Sequence, residues 1–227
     1  EVAAEREARR ADRTNLAIGP KAKPAPTTRK ASGTRPRILL IGSSTGGPQA
    51  VSDFLTGIGP RFPAPILITQ HMPPVFTRVF ATGLARKTGI DVCEAEDEMV
   101  VEAGRAYVAP GGLHMRLKLI GGAVRISLSD DPPINFCRPA VDPLFESAAE
   151  IYTGHVLAVV LTGMGQDGLR GAQKIVQMGG TVIAQDQATS VVWGMPGAVA
   201  KAGICAFVLP LPDIAARVKR FWGGAKD

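Results

Sequence analysis

The sequence predicts an α/β fold: a doubly wound, mostly parallel sheet with helices on both faces and an added antiparallel β-hairpin. Three observations predict it. Short runs that are apolar throughout, such as RILLIG (37–42) and HVLAVVLTG (155–163), alternate with helix-compatible stretches, as in a parallel sheet covered on both faces. HMRLKLI and AVRISLS alternate in polarity on either side of Gly121-Gly122, a hairpin signal. No uninterrupted apolar run approaches the roughly 18 to 20 residues that span a bilayer, so the chain is not expected to insert in a membrane.

The elements follow in order. RILLIG ends in glycine and reads as a buried strand, and a helix is expected from about Gly47 to Leu55. APILITQ (64–70) is a second strand, followed by a proline-led segment with helical potential from Pro73 to Lys87. RAYVAP (105–110) is a third strand, and the hairpin comes next. VDPLFESAAEIY (141–152) reads as a helix and HVLAVVLTG as a further strand. LRGAQKIVQM (169–178), TVIAQ (181–185) and AFVLP (206–210) continue the alternation.

The domain is expected from about residue 36 to 222. Residues 1–35 read as a basic, Pro-rich linker or tail: GPKAKPAPTTRKASGTRP (19–36) has no apolar periodicity. Residues 1–13 have helical potential, with Glu5 and Arg9 at i,i+4 spacing. The chain of 227 residues carries a net charge of +6, which by itself would suggest a nucleic-acid partner. That charge is confined to residues 1–37, with ten Lys/Arg against four Asp/Glu, and the remainder balances at sixteen of each. The folded part therefore has no global field for phosphate, and no nucleic acid is expected. Cys93, Cys137 and Cys205 are odd in number, with no CxxC pair, as suits reduced thiols in a cytoplasmic protein. None of them is expected in the reactive site. No signal peptide is expected at the start.

In open α/β sheets, ligands bind outside the carboxyl ends of the strands. Three reactive residues follow strands there: Ser44, His71 and Asp167. Ser44 lies in Gly42-Ser43-Ser44-Thr45-Gly46-Gly47, a G-x-S-x-G turn at a strand-to-helix junction. Such a turn exposes the hydroxyl, and the helix N-terminus favours a developing oxyanion. The same loop could instead cradle a phosphate, as in a non-catalytic nucleotide- or receptor-binding module. The dinucleotide pattern is absent, however, because Ser44 replaces its second glycine. His71 directly follows the second strand, within reach of a serine on the neighbouring loop, whereas His114 and His155 open other strands and read as structural. Asp167, in TGMGQDG (162–168), reads as an N-cap of the 169–178 helix and as the group that orients the imidazole, two roles that do not exclude each other. Dispersed histidines without HxxH spacing argue against zinc, and no metal or organic cofactor is expected.

The ordered motifs IGSSTGGPQAV, ITQHMPPVFT, YVAPGGLHM, RPAVDPLFESAA, LTGMGQDG and AQDQATSVVWGMPGAVA together resemble the catalytic domain of chemotaxis protein-glutamate methylesterases (CheB-type), over nearly all of residues 37–210. The resemblance implies a Ser–His–Asp triad at Ser44, His71 and Asp167, with backbone around Thr45 and Met164 binding the oxyanion. It implies γ-methyl esters of chemoreceptor glutamates as substrate, methanol as product, and in some members deamidation of glutamines at such sites. It also implies an upstream phosphorylatable receiver domain and its kinase, with which Asp53 and Asp97 are not to be confused. One departure stands out: Cys137 occupies the place where many relatives have a histidine before Arg-Pro.

Overall fold

A computed structural model describes residues 28–223. The sheet that organises it is seven-stranded and parallel, in the order β3-β4-β2-β1-β7-β8-β9. Its strands are β1 (Ile38–Ser43), β2 (Ile66–Gln70), β3 (Asp91–Glu94), β4 (Arg105–Val108), β7 (Val156–Val160), β8 (Thr181–Gln185) and β9 (Phe207–Leu209). The central strands are apolar throughout because each side chain enters one of two cores. Leu40, Leu67, Ala158 and Val182 point to one face; Leu39, Ile41, Ile66, Ile68, Val159 and Ile183 point to the other.

Among the described residues, six helices cover the faces. Those named α1 (Gly47–Ile58), α2 (Phe76–Thr88) and α6 (Leu211–Gly223) supply Phe54, Leu84, Ile214 and Val218 to the second core. The others, α3 (Val141–Tyr152), α4 (Leu169–Gln177) and α5 (Met195–Lys201), supply Leu144, Phe145, Ile175 and Val199 to the first. The hairpin, β5 (His114–Ile120) and β6 (Ala123–Ser129), is a separate antiparallel sheet. It packs through Met115, Leu117 and Ile126 into the first core.

The α/β reading of the sequence stands, with boundary shifts that have local causes. The helix expected from Pro73 starts at Phe76, because prolines at 73 and 74 bias the residues before them away from helix and Val75 has a left-handed backbone at φ 75. His155 does not open β7; it ends a 3₁₀ turn, Thr153–His155. Strand β3 and helices α5 and α6 were not expected. The helix expected at residues 1–13 lies outside the described residues. Part of the expected linker is described and fastened to the body: Arg29 N–H donates to Cys205 O at 2.9 Å, Ser32 N–H to Thr181 Oγ1 at 3.1 Å, and Arg35 Nη2 to Trp222 O at 3.0 Å. Among the described residues, no helix is long and apolar enough to cross a membrane.

Candidate active site

Strand β1 lies between β2 and β7, with Ser43 beside Gln70 and Gly42 beside Val160. The chain builds one flank of the sheet from β2 and the other from β7, so the order reverses at β1. The loops after these three strands meet where such folds open a crevice, and they carry Ser44, His71 and Asp167.

The serine loop is pinned from both sides. Ser44 N–H donates to Thr162 O at 3.0 Å, and Gln70 Nε2 donates to Ser44 O at 2.9 Å and His71 O at 3.0 Å. Ser43 is buried, with its hydroxyl on Gln70 Oε1 at 2.7 Å. Ser44 instead faces a cleft of about 590 Å³, lined also by Thr45, His71, Phe76, Val79 and Phe80. The turn requires Gly46, with φ 79, where any Cβ would lie 2.7 Å from Val191 Cβ. From the β7 loop, Gly163 abuts the serine so closely that a Cβ there would lie 2.8 Å from Ser44 Cβ.

His71 and Asp167 are in contact: Nε2 lies 2.6 Å from Asp167 Oδ2, with the carboxylate almost fully buried. Asp167 Oδ2 also accepts Val141 N–H at 2.6 Å, and Oδ1 accepts Asp142 N–H at 3.2 Å and Gly168 N–H at 2.9 Å. Asp167 therefore caps a helix, though α3 rather than the adjacent α4, and the positive end of α3 favours its negative charge. A carboxylate with only donors around it leaves the proton of the neutral ring on Nε2, so Nδ1 is the free base. This is the reverse of the chymotrypsin-type arrangement, in which Nδ1 faces the aspartate.

Ser44 and His71 share the cleft, with no hydrogen bond between their side chains among the described residues. Thr45 and Met164, on the two loops that meet at Ser44, donate no backbone hydrogen bond to any described residue, which leaves two N–H groups for an incoming anion. The other histidines are elsewhere. His114 is buried between Pro132 O at 3.1 Å and Ala140 N–H at 3.1 Å; burial holds its pKa below the usual imidazole value, against the Pro132 carbonyl, which raises it. His155 Nδ1–H donates to Arg35 O, 2.9 Å away.

Two residues at the site were not anticipated. Cys137, expected outside it, has Sγ 3.3 Å from His71 Nδ1. Asp142, buried in the first turn of α3, accepts Gly171 N–H at 2.7 Å and so ties α3 to α4 directly behind Asp167. Asp142 could have been suspected from its place in RPAVDPLFE; at Cys137 the departure from the family pattern was a signal, though only the fold brings it to His71.

A family model described as CheB methylesterase matches residues 39–218. The chain belongs to the CheB methylesterase family. It is 57% identical over 201 residues to a protein-glutamate methylesterase/protein-glutamine glutaminase of Nitrobacter hamburgensis, covering 88% of this chain and 53% of that protein. It is also 57% identical over 204 residues to a protein of the same name, from a group 2 operon, in Bradyrhizobium diazoefficiens, covering 88% and 51%. The chain thus spans about half the length of the curated relatives it matches. A crystal structure of the Thermotoga maritima CheB methylesterase catalytic domain superposes with a TM-score of 0.79 at 45% identity, covering 82% of this chain and 98% of that one.

Proposed function

We propose that residues 36–222 form a serine hydrolase domain that removes γ-methyl esters from glutamate side chains of chemoreceptors in the cytoplasm. The observation that carries this reading is the His71–Asp167 pair at 2.6 Å, opening onto the cleft that holds Ser44. In the reaction, His71 Nδ1 takes the Ser44 proton as Oγ attacks the ester carbonyl. The backbone N–H groups of Thr45 and Met164 receive the oxyanion. Methanol leaves with the proton held on His71, and water, activated by the same nitrogen, hydrolyses the glutamyl-serine ester to release a carboxylate. Asp167 orients the ring and offsets the positive charge that forms on it. The same groups would act on a glutamine side chain, with ammonia as leaving group, as the glutaminase name of the relatives implies.

A protein substrate suits the rim of the cleft. Val75, Phe76 and Val79 on one side, and Met164, Val191 and Phe136 on the other loops, are large apolar residues left exposed, as at surfaces that meet another macromolecule. An upstream receiver domain and its kinase complete the proposal for the longer protein, in keeping with the half-length match to the relatives.

The deciding experiment is methanol release from methyl-labelled receptor membranes. Ser44→Ala is expected to abolish release with the fold intact, whereas Ser43→Ala, which removes a hydroxyl engaged with Gln70, should be far milder. Loss of release in Ser43→Ala alone would move the nucleophile by one residue, and full release by Ser44→Ala would end the serine mechanism.

A further inference from the structure

The two nitrogens of His71 are used differently, and the second has a partner that the reaction does not explain. Nε2 is committed to Asp167. Nδ1 faces Cys137 Sγ at 3.3 Å, and no other described side chain hydrogen-bonds to it. A neutral ring with its proton on Nε2 has only a lone pair at Nδ1, so the thiol must be the donor. The thiol is protonated to suit: burial, with the charge of Asp167 adding to it, pushes Cys137 above the usual thiol value.

The segment carrying Cys137 is built to aim that side chain. Ile134 and Cys137 exchange both backbone hydrogen bonds, at 3.1 and 2.9 Å. The two residues enclosed, Asn135 and Phe136, have left-handed backbones at φ 49 and φ 64. That conformation is unfavourable for a bulky residue such as Phe136, whose ring is fully exposed and recovers nothing by burial. Just beyond, Arg138 Nη1 donates to the carbonyls of Asp130 and Asp131 at 2.6 and 3.2 Å, and Arg138 O accepts Gly112 N–H at 3.0 Å. The strained turn is thus closed by its own backbone pair and clamped just after it through Arg138, and Cys137 is the side chain it delivers to the site.

We propose that Cys137 is a positioning residue for His71: its thiol holds the ring at Nδ1, opposite Asp167, so that the basic nitrogen stays turned toward the Ser44 cleft. The inference rests on the reading of His71 as the base. A thiol is a weak donor, so the Ser44 hydroxyl displaces it when the ester is bound, while between turnovers the ring is held at both ends. The chemistry needs no thiolate and forms no bond to sulfur.

The test compares wild type, Cys137→Ala and Cys137→Ser in the full chain by two readouts. The first is the ¹⁵N resonance of His71 Nδ1 in histidine-labelled protein, assigned by its loss in His71→Gln. Accepting a hydrogen bond displaces this resonance, so Cys137→Ala should move it toward the position of a bare lone pair. Cys137→Ser, which keeps a donor, should leave it displaced. The second readout is kinetic: because the thiol holds the ring in the free enzyme and is displaced when the ester binds, Cys137→Ala should lower kcat/KM about two- to tenfold, the worth of one ordinary hydrogen bond, with kcat little changed. Cys137→Ser should restore most of the loss. An Nδ1 resonance that ignores the alanine substitution overturns the proposal, as does a kcat/KM that is unchanged by alanine or not recovered with serine. If wild type shows no esterase turnover, the proposed function fails, while the resonance still decides the contact. If the alanine variant does not fold, wild type against serine decides it, because a hydroxyl must displace the resonance further in the same direction.

Discussion

Asp142 is the buried carboxyl group that the reaction leaves unused. Its pKa is raised to about 6, chiefly by burial, with the charge of Asp167 adding to the effect and the Gly171 N–H opposing it. An acid whose folded pKa lies above its unfolded one keeps a proton that the unfolded chain has released. Between the ordinary value of 3.8 and about 6, stability therefore falls as pH rises, and above that window the cost of the buried charge is present in full. Asn at 142 retains an oxygen for Gly171 N–H and removes the charge. Asp142→Asn should therefore be more stable than wild type at neutral pH, by about 3 kcal/mol, and the gap should close near pH 4. Urea unfolding at the two pH values measures it; a gap that persists in acid would show that charge is not its origin. At this scale the meeting of Ser44, His71 and Asp167 around one cleft was legible, because each follows a strand. The contacts of Cys137 and Asp142 were not, because they join segments far apart in sequence.

At the scale of elements, Asp167 combines a helix cap with a contact to the imidazole, as the sequence reading allowed. It caps a helix, but the helix is α3, 25 residues earlier in the chain, and the same oxygen that accepts Val141 N–H also faces His71. The cap fixes the carboxylate, and the carboxylate fixes the ring. Asp167→Asn replaces one acceptor oxygen with an amide N–H₂ that must point at donors, so it weakens both at once. Turnover should fall steeply, by roughly 10⁴-fold if the serine-protease precedent holds. Stability should fall by about 1–3 kcal/mol, the cost of leaving buried donors unpaired. Methanol release measured beside thermal unfolding separates the two effects: the loss of turnover in protein that is still folded must far exceed the unfolded fraction, and near-normal turnover would remove Asp167 from the mechanism. The elements that the sequence hid have physical reasons as well. Strand β3 (DVCE) lies at the sheet edge, with only Val92 buried. Helix α5 (MPGAVAK) opens with Pro and Gly, which read as a turn. Helix α6 had a usable signal, because Ile214 and Val218 stand at i,i+4 and both are buried.

For the whole molecule, charge and fold divide the chain differently. The body from residue 38 is electrically balanced, and the excess of positive charge precedes it. The expected linker nevertheless reaches the body, because Arg29 N–H and Ser32 N–H are hydrogen-bonded at β8 and the approach to β9. Deleting residues 1–33 removes those two bonds and a segment with eight Lys/Arg against four Asp/Glu. Neither bond belongs to the cores, and each contributes about 0.5–1.5 kcal/mol, so the truncated chain should fold with a slightly lower melting temperature and an unchanged kcat. Affinity for receptor is a separate matter. If the tail's positive charge meets an acidic receptor surface, KM rises on deletion at low salt, and the difference should shrink as salt is added, since the screening length falls from about 30 Å at 0.01 M to about 10 Å at 0.1 M. Methanol release by the full and truncated chains across a salt series reads both quantities. A truncated chain that fails to fold would place residues 28–33 within the structural unit. A KM difference that survives high salt would mean that the tail contacts the receptor through something other than its charge.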